Sequence, residues 1–234
     1  MRSFHYGFYR PIITKNKKKP IQRSFKDVFA RPILLSVKKY ALYFDGSNDY
    51  ISFSNKIIPA GYKNIYFEIS KASIPGVQNY IFTTEWDTPT NIGDGVRIDT
   101  SGKILWINRK GVVGDLRFSV QGNTNICDGE KHKIRLFWDG TTDADTVQIF
   151  VDDMLDATAT ADSVETLQGT HNMLIGQSGT PDDYLTATIY KILMSDKSGY
   201  VAKYFFHEGT GSIIYDISGN GYDGTITGAT WIEA

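Results

Sequence analysis

One cysteine, Cys127, stands in 234 residues, which excludes an intrachain disulfide framework and any multi-cysteine metal site. No run approaches the roughly 18 apolar residues that a membrane-spanning helix requires, so membrane insertion is not expected. Seven prolines and 22 glycines are too few for a collagen-like or low-complexity chain. The four histidines, at 5, 132, 171 and 207, fall into no H-E-x-x-H or other metal-binding spacing. An excess of one charge is lacking too: 25 Lys+Arg against 26 Asp+Glu leave −1, so nucleic acid is not an expected partner of the chain as a whole. Long apolar patterns of helical period are absent. What is present is a hydrophobic fraction of 41%, ordinary for a globular chain, with 14 Tyr and 13 Phe that favour strands.

The near-zero charge hides an asymmetry. Residues 1–39 hold eleven basic side chains and one acid, Asp27, for a net +10; residues 40–234 hold 14 basic and 25 acidic ones, for a net −11. Such a contrast marks an interaction arm on a folded body. The arm contains a duplication. Residues 2–12 (RSFHYGFYRPI) and 23–33 (RSFKDVFARPI) share the pattern R-S-F-x-x-x-F-x-R-P-I. Two copies cannot build a stacked solenoid core, so the pattern reads as a linear docking motif used twice. Phe4/Phe8 and Phe25/Phe29 are spaced to share one face of a helical turn. Pro11 and Pro32 then force Arg10 and Arg31 out of the helix, towards Ile12 and Ile33. With Arg2 and Arg23, each copy offers aromatic and guanidinium anchors of the type that dominates interfaces. The expected partner is a symmetric assembly with two equivalent, neighbouring pockets, since the ten residues between the copies span at most about 35 Å.

From residue 40 the periodicity becomes two. Ile134, Leu136 and Trp138 alternate with Arg135 and Phe137 and stop at Asp139-Gly140; Val147, Ile149 and Val151 alternate before Asp152-Asp153. Further strands are expected at 40–44, 50–53, 65–69, 80–84, 96–99, 104–108, 116–120, 173–175, 186–194 and 225–226. Residues 201–206 fit a short helix or a strand equally well. About a dozen short strands predict an all-β, two-sheet antiparallel jelly-roll sandwich over 40–234, behind an extended or partly helical arm over 1–39.

Three motifs then carry a family resemblance. Ala41-Leu42-Tyr43-Phe44-Asp45-Gly46-Ser47-Asn48-Asp49-Tyr50-Ile51 resembles the opening strand pair of laminin G-like, concanavalin A-like jelly rolls. Asp128-Gly129-Glu130-Lys131-His132 through Gly140, followed by Val147 to Asp152, is similar to their central meander. Phe206-His207-Glu208-Gly209-Thr210-Gly211, followed by Tyr215-Asp216-Ile217-Ser218-Gly219-Asn220-Gly221-Tyr222-Asp223-Gly224-Thr225-Ile226, is similar to their closing motif. Lys131 stands where the family usually has Trp, and Asp153 where it usually has Gly. The resemblance implies the sandwich fold, a structural role for His132, and a setting such as bacteriophage tail, fibre or head-decoration proteins.

Candidate chemistry is sparse. The pairs 45/46, 139/140, 220/221 and 223/224 read first as tight turns. Asp45, Asp49, Asp216, Asn220 and Asp223 would also suit calcium, as hard oxygen ligands of the kind related jelly rolls sometimes carry; no other cofactor is expected. The nearest approach to a glycosidase signature, Glu85-Trp86-Asp87-Thr88-Pro89-Thr90, lacks its last acid and is broken by proline, so no enzyme activity is expected. Trp86, Trp106, Tyr184 and Tyr222 are candidates to stack on glycans. With no recognisable secretory signal and a duplicated docking peptide, the sequence predicts a non-enzymatic virion structural protein. In that reading the arm laces onto other virion subunits, in a homo-oligomer or other multi-copy assembly, and the body projects towards host glycans. A carbohydrate-binding module docked on a cellular assembly is the alternative.

Overall fold

The computed structural model describes residues 38–84, 91–111, 115–179 and 183–234. Both copies of the duplicated motif, from Arg2 to Ile12 and from Arg23 to Ile33, lie outside the described residues, as does Trp86. Among these residues sixteen strands follow one another: β1 (Tyr40–Asp45), β2 (Tyr50–Phe53), β3 (Lys63–Ser70), β4 (Asn79–Thr83), β5 (Asn91–Ile98), β6 (Lys103–Gly111), β7 (Leu116–Asn125), β8 (Lys131–Trp138), β9 (Val147–Val151), β10 (Met154–Ala159), β11 (Leu174–Ile175), β12 (Thr186–Asp196), β13 (Gly199–Tyr204), β14 (Ile213–Ile214), β15 (Gly224–Thr227) and β16 (Thr230–Glu233). There is no helix among the described residues, and the segment at 201–206 resolves as strand up to Tyr204.

The strands form two eight-stranded sheets. One runs β10-β9-β8-β3-β12-β1-β16, with β13 also paired to β12; the other runs β14-β15-β2-β11-β4-β5-β6-β7. All pairings between them are antiparallel. Alternation decides which face is buried. In β3, Ile65, Phe67 and Ile69 point inward and Tyr66 and Glu68 outward; in β8, Ile134, Leu136 and Trp138 point inward. Aromatic contacts then lock the sheets together. Phe67 of the first meets Phe82 of the second edge to face, with centroids 5.8 Å apart. Phe118 of the second lies between Trp138 of the first, at 5.3 Å, and its own neighbour Trp106, at 4.8 Å.

Local chemistry shapes three positions. Between β9 and β10 the chain turns on two residues, Asp152 (φ 50°) and Asp153 (φ 68°), so Asp153 takes a left-handed conformation where the resembled family has glycine. In β12 an irregularity between Ile189 and Lys191 leaves both Tyr190 and Lys191 half-buried, while Ile189 and Ile192 stay in the core. Gly224, expected in a tight turn, opens β15 instead. A Cβ there would come within 2.7 Å of Ile51 and Phe53, so glycine serves close packing.

Three strands were not expected from the sequence. β10 (MLDATA) has neither alternation nor β-branched density and sits on an edge; β14 is two residues long; β16 buries none of its residues fully. β16 closes the first sheet beside β1, pairing Glu233 with Tyr40, and the Ala234 N–H donates to the Lys39 carbonyl at 2.9 Å.

Candidate functional site

At one end of the sandwich a depression of about 390 Å³ is bordered by the β12–β13 hairpin, the closing loop and the loop before β11. Pro59, Gln168, Asp196, Ser198, Gly199, Tyr200, Val201, Asn220 and Tyr222 line it. A second, of about 340 Å³, shares Asp196 and Ser198 and adds Tyr62, Lys197 and the Asp139-Gly140-Thr141 turn. Both volumes suit a small ligand.

The closing motif builds this site through Asp216. Its Oδ1 accepts the Lys203 and Ser218 N–H groups, each at 2.9 Å, and its Oδ2 accepts the Ser218 hydroxyl at 2.7 Å and the Tyr222 N–H at 3.2 Å. Burial alone would raise the Asp216 pKa, but these donors outweigh it and hold the carboxyl below its ordinary value. The Asp216 N–H in turn donates to Asp223 Oδ1 at 2.8 Å. The loop is thereby stapled to β13, and Tyr222 is set in the same depression as Tyr200, which is 52% exposed. Underneath, the buried Tyr204 hydroxyl donates to the Tyr222 carbonyl at 2.6 Å, and burial pushes that phenol far above its usual range.

The polar lining is biased towards acceptors. Asn220 Nδ2 donates to the carbonyls of Tyr200 (3.2 Å) and Val201 (2.9 Å), and Gln168 Nε2 to those of Lys56 (3.1 Å) and Ile58 (3.4 Å). Carbonyl partners fix the orientation of both amides, so each side chain keeps its oxygen as an acceptor. Asp196 Oδ1 accepts the Ser198 and Gly199 N–H groups at 2.6 and 3.1 Å. The arrangement fits a ligand rich in hydroxyl donors with a flat apolar face.

The sequence candidates separate on this geometry. Tyr222 belongs to the depression. Trp106 does not: it is fully buried, its ring meets Phe118, and its Nε1–H donates to Asp94 Oδ1 at 2.9 Å. Its strand phase, inward in β6, overrides its suitability for stacking on sugars. Tyr184 is half-buried and bridges to Gln177, away from Tyr222's depression. Tyr200, Gln168, Asp196 and Ser198 were missed, because only the hairpin and loop geometry gathers them.

The calcium candidates do not converge. Asp45 and Asp49 lie before β2, with Asp49 Oδ2 accepting the Asp45 N–H at 2.7 Å. Asp216, Asn220 and Asp223 lie at the opposite end of the β2–β15 ladder, where Gly224 pairs Phe53 and Thr227 pairs Tyr50. Their polar groups are engaged by N–H donors and carbonyls, and no group of three or more His, Cys, Asp or Glu able to hold a metal occurs among the described residues. His132 is clamped between Asp152 (Nδ1, 2.8 Å) and Asp128 (Nε2, 3.1 Å). Burial lowers its pKa, but the two carboxylates outweigh burial and leave it raised. Cys127 is buried and its thiol is pushed up by that burial, which makes it a poor nucleophile.

A second surface feature covers the outer face of the first sheet. Arg135 lies over Phe137 and Phe150 (5.1 and 5.0 Å), Lys191 over Tyr66 and Phe205 (4.8 and 5.5 Å), and Lys131 over Tyr190 (4.8 Å).

No protein-family model matches the sequence, and no curated protein matches it. Solved structures do. The CBM40 of Ruminococcus gnavus IT-sialidase, bound to alpha2,3 sialyllactose, matches with a TM-score of 0.53 at 10% identity, over 67% of this chain and 90% of that one. Domains LG4-5 of the mouse laminin alpha1 chain match at 0.49 and 13% identity, over 68% of this chain and 41% of that one. A SAP-like pentraxin from Limulus polyphemus matches at 0.49 and 10% identity, over 68% of this chain and 76% of that one. This chain therefore spans less than half the length of the laminin fragment it matches. At these identities the likeness is one of fold, and it agrees with the layer order and alternation described above: the described residues form a jelly-roll sandwich of the concanavalin A-like kind.

Proposed function

We propose that the body is a non-enzymatic, carbohydrate-binding module whose ligand occupies the depression at Tyr200 and Tyr222. The observation that carries this reading is the acceptor bias of the lining. Gln168 and Asn220, whose amide nitrogens are taken up by backbone carbonyls, line the depression with Asp196, Ser198 and the two tyrosines, which leaves their amide oxygens as acceptors. Sugar hydroxyls donate to such acceptors while a pyranose face lies on a phenol ring. The carboxylate of Asp196 favours neutral saccharides over acidic ones. The fold supports the reading, since the R. gnavus module of the same architecture was solved with a bound glycan. The test is a glycan array with the full chain, followed by calorimetry on the best hit. Neutral glycans should bind and Tyr200→Ala should weaken them about tenfold, the loss of a ring contact worth roughly 1.4 kcal/mol. An empty array, or a hit indifferent to Tyr200→Ala, ends this reading.

A second reading concerns where the module sits, and it rests on the duplicated R-S-F-x-x-x-F-x-R-P-I peptide. We infer that residues 1–39 anchor the chain to a symmetric multi-copy assembly, a virion structure such as a bacteriophage tail, fibre or head decoration. Full occupancy of the parent particle by a chain lacking residues 1–33 would refute it.

A further inference from the structure

A buried polar cluster that the surface site does not use joins the two sheets. Lys63 opens β3 at an inward-facing position otherwise filled by Ile and Phe along that strand. Its ammonium meets three oxygens: the Pro59 carbonyl, Glu165 Oε2 and, at 3.0 Å, Asp94 Oδ2. Asp94 is on β5 of the opposite sheet and Glu165 in the loop between β10 and β11. All three side chains are at most 2% exposed. The Trp138 ring lies 6.0 Å from the Lys63 nitrogen, and the Trp106 indole N–H bonds to Asp94.

The two carboxylates are not equivalent. Glu165 also accepts the Gly61 N–H at 3.0 Å and Asn108 Nδ2 at 3.1 Å, with Arg117 3.6 Å away. Among the described residues the Asp94 carboxylate has Lys63 on one oxygen and the Trp106 indole N–H, at 2.9 Å, on the other. A desolvated ion pair of this kind is held at considerable cost, and a reaction that removes both charges is favoured where water is excluded. The amine is fixed against a carboxyl carbon one C–O bond beyond its 3.0 Å contact, which is the proximity that makes an amide-forming step effectively unimolecular.

We propose that Lys63 and Asp94 form an intramolecular isopeptide bond, with Glu165 as proton carrier and the Trp106 N–H as oxyanion donor. The atoms balance as follows. The Lys63 proton aimed at Asp94 passes to Oδ2, giving a neutral amine and a neutral carboxyl. Nζ attacks Cγ, and the charge that develops on Oδ1 is met by the Trp106 N–H. A second Nζ proton moves to Glu165 and from there to the Oδ2 hydroxyl, which leaves as water. The third remains as the amide N–H, still donating to the Pro59 carbonyl, while Oδ1 keeps its bond to Trp106. Glu165 ends ionised as it began, still held by Gly61, Asn108 and Arg117.

The test is intact-mass spectrometry of the purified full chain under denaturing conditions, then protease digestion and peptide sequencing. The chain should be lighter than its sequence mass by one water, and the digest should contain a branched peptide joining the Lys63 and Asp94 segments. Asp94→Asn should reach the same final mass, with ammonia leaving in place of water. Lys63→Arg and Glu165→Gln should keep their full masses. A wild-type chain that unfolds cooperatively in urea yet shows its full mass overturns the proposal without recourse to any variant. So does a water loss that maps to linear peptides, which would place it at a succinimide of an Asp-Gly pair such as Asp94-Gly95. Cross-linking of Glu165→Gln at the wild-type rate would refute the proton-carrier role.

Discussion

Replacing Trp106 by phenylalanine separates the two readings of that ring most cleanly. If it faced a glycan, the substitution would weaken binding and leave stability alone. The structure puts it in the core, with no exposed surface, against Phe118 and hydrogen-bonded to Asp94. Two losses follow. The smaller ring leaves a void of roughly 40 Å³, which at about 24 cal/mol per Å³ costs about 1 kcal/mol. The buried Asp94 oxygen loses its donor, which costs about 1–3 kcal/mol more. The expected total of about 2–4 kcal/mol is a large part of the roughly 5–15 kcal/mol that holds a domain folded. Urea denaturation should show the midpoint fall at an unchanged slope, and the melting temperature should fall by about 5–15 °C. Glycan affinity measured well below the new transition should be unchanged. A stability loss under about 0.5 kcal/mol, or a binding loss with stability intact, would refute the placement of this ring and the hydrogen bond with it.

His132→Gln should give a pH-dependent effect. The raised pKa of His132 means that its share of stability is complete below about pH 6.5 and fades as pH climbs through the higher folded value; the lowered pKa values of Asp128 and Asp152 mean that theirs is complete above about pH 4 and fades as pH falls. The melting-temperature gap between wild type and variant, read by scanning fluorimetry, should therefore be wider at about pH 5.5 than at about pH 8.5, and an equal gap would count against the clamp. Asp153→Gly should raise stability by about 0.5–1 kcal/mol in urea titrations, because glycine relieves the left-handed conformation and the side-chain bond given up among the described residues is a 3.4 Å contact with Lys133. Replacing Phe4 and Phe8 alone should weaken attachment to the parent assembly much less than replacing Phe25 and Phe29 as well; equal losses in a pull-down would argue against two-site binding.

The sandwich was legible because its strands alternate. β2 and β9 match the sequence reading residue for residue, since Tyr50–Phe53 and Val147–Val151 show period two between turn residues. β10 and β16 were illegible for the opposite reason: edge strands need bury little, and Met154–Ala159 carries no pattern to read. Of the ligand site, Tyr222 could be found because it lies in a recognisable motif, whereas Tyr200 and Gln168 are separated from it by 22 and 54 positions and meet it only through folding. Trp106 misled because residue type says what a ring can do, and strand phase says where it points. The Lys63, Asp94 and Glu165 cluster was invisible for a related reason. In the sequence these are three ordinary charges among 51, and only the packing of β3, β5 and the loop after β10 brings them together inside the core.

The pairing of β1 with β16 sets Lys38 and Ala234 side by side, so the path of the body is nearly a closed ring. A short linker could join the two and the chain could be opened elsewhere, for instance between Asp143 and Thr146, without asking any strand to change neighbours. Such a circular permutant would keep the Tyr200–Tyr222 depression while moving both chain ends away from the β1–β16 edge. Unpermuted, the same adjacency of Lys38 and Ala234 would allow the module to be grafted as a loop insertion into another protein, held at two adjacent points on one sheet edge.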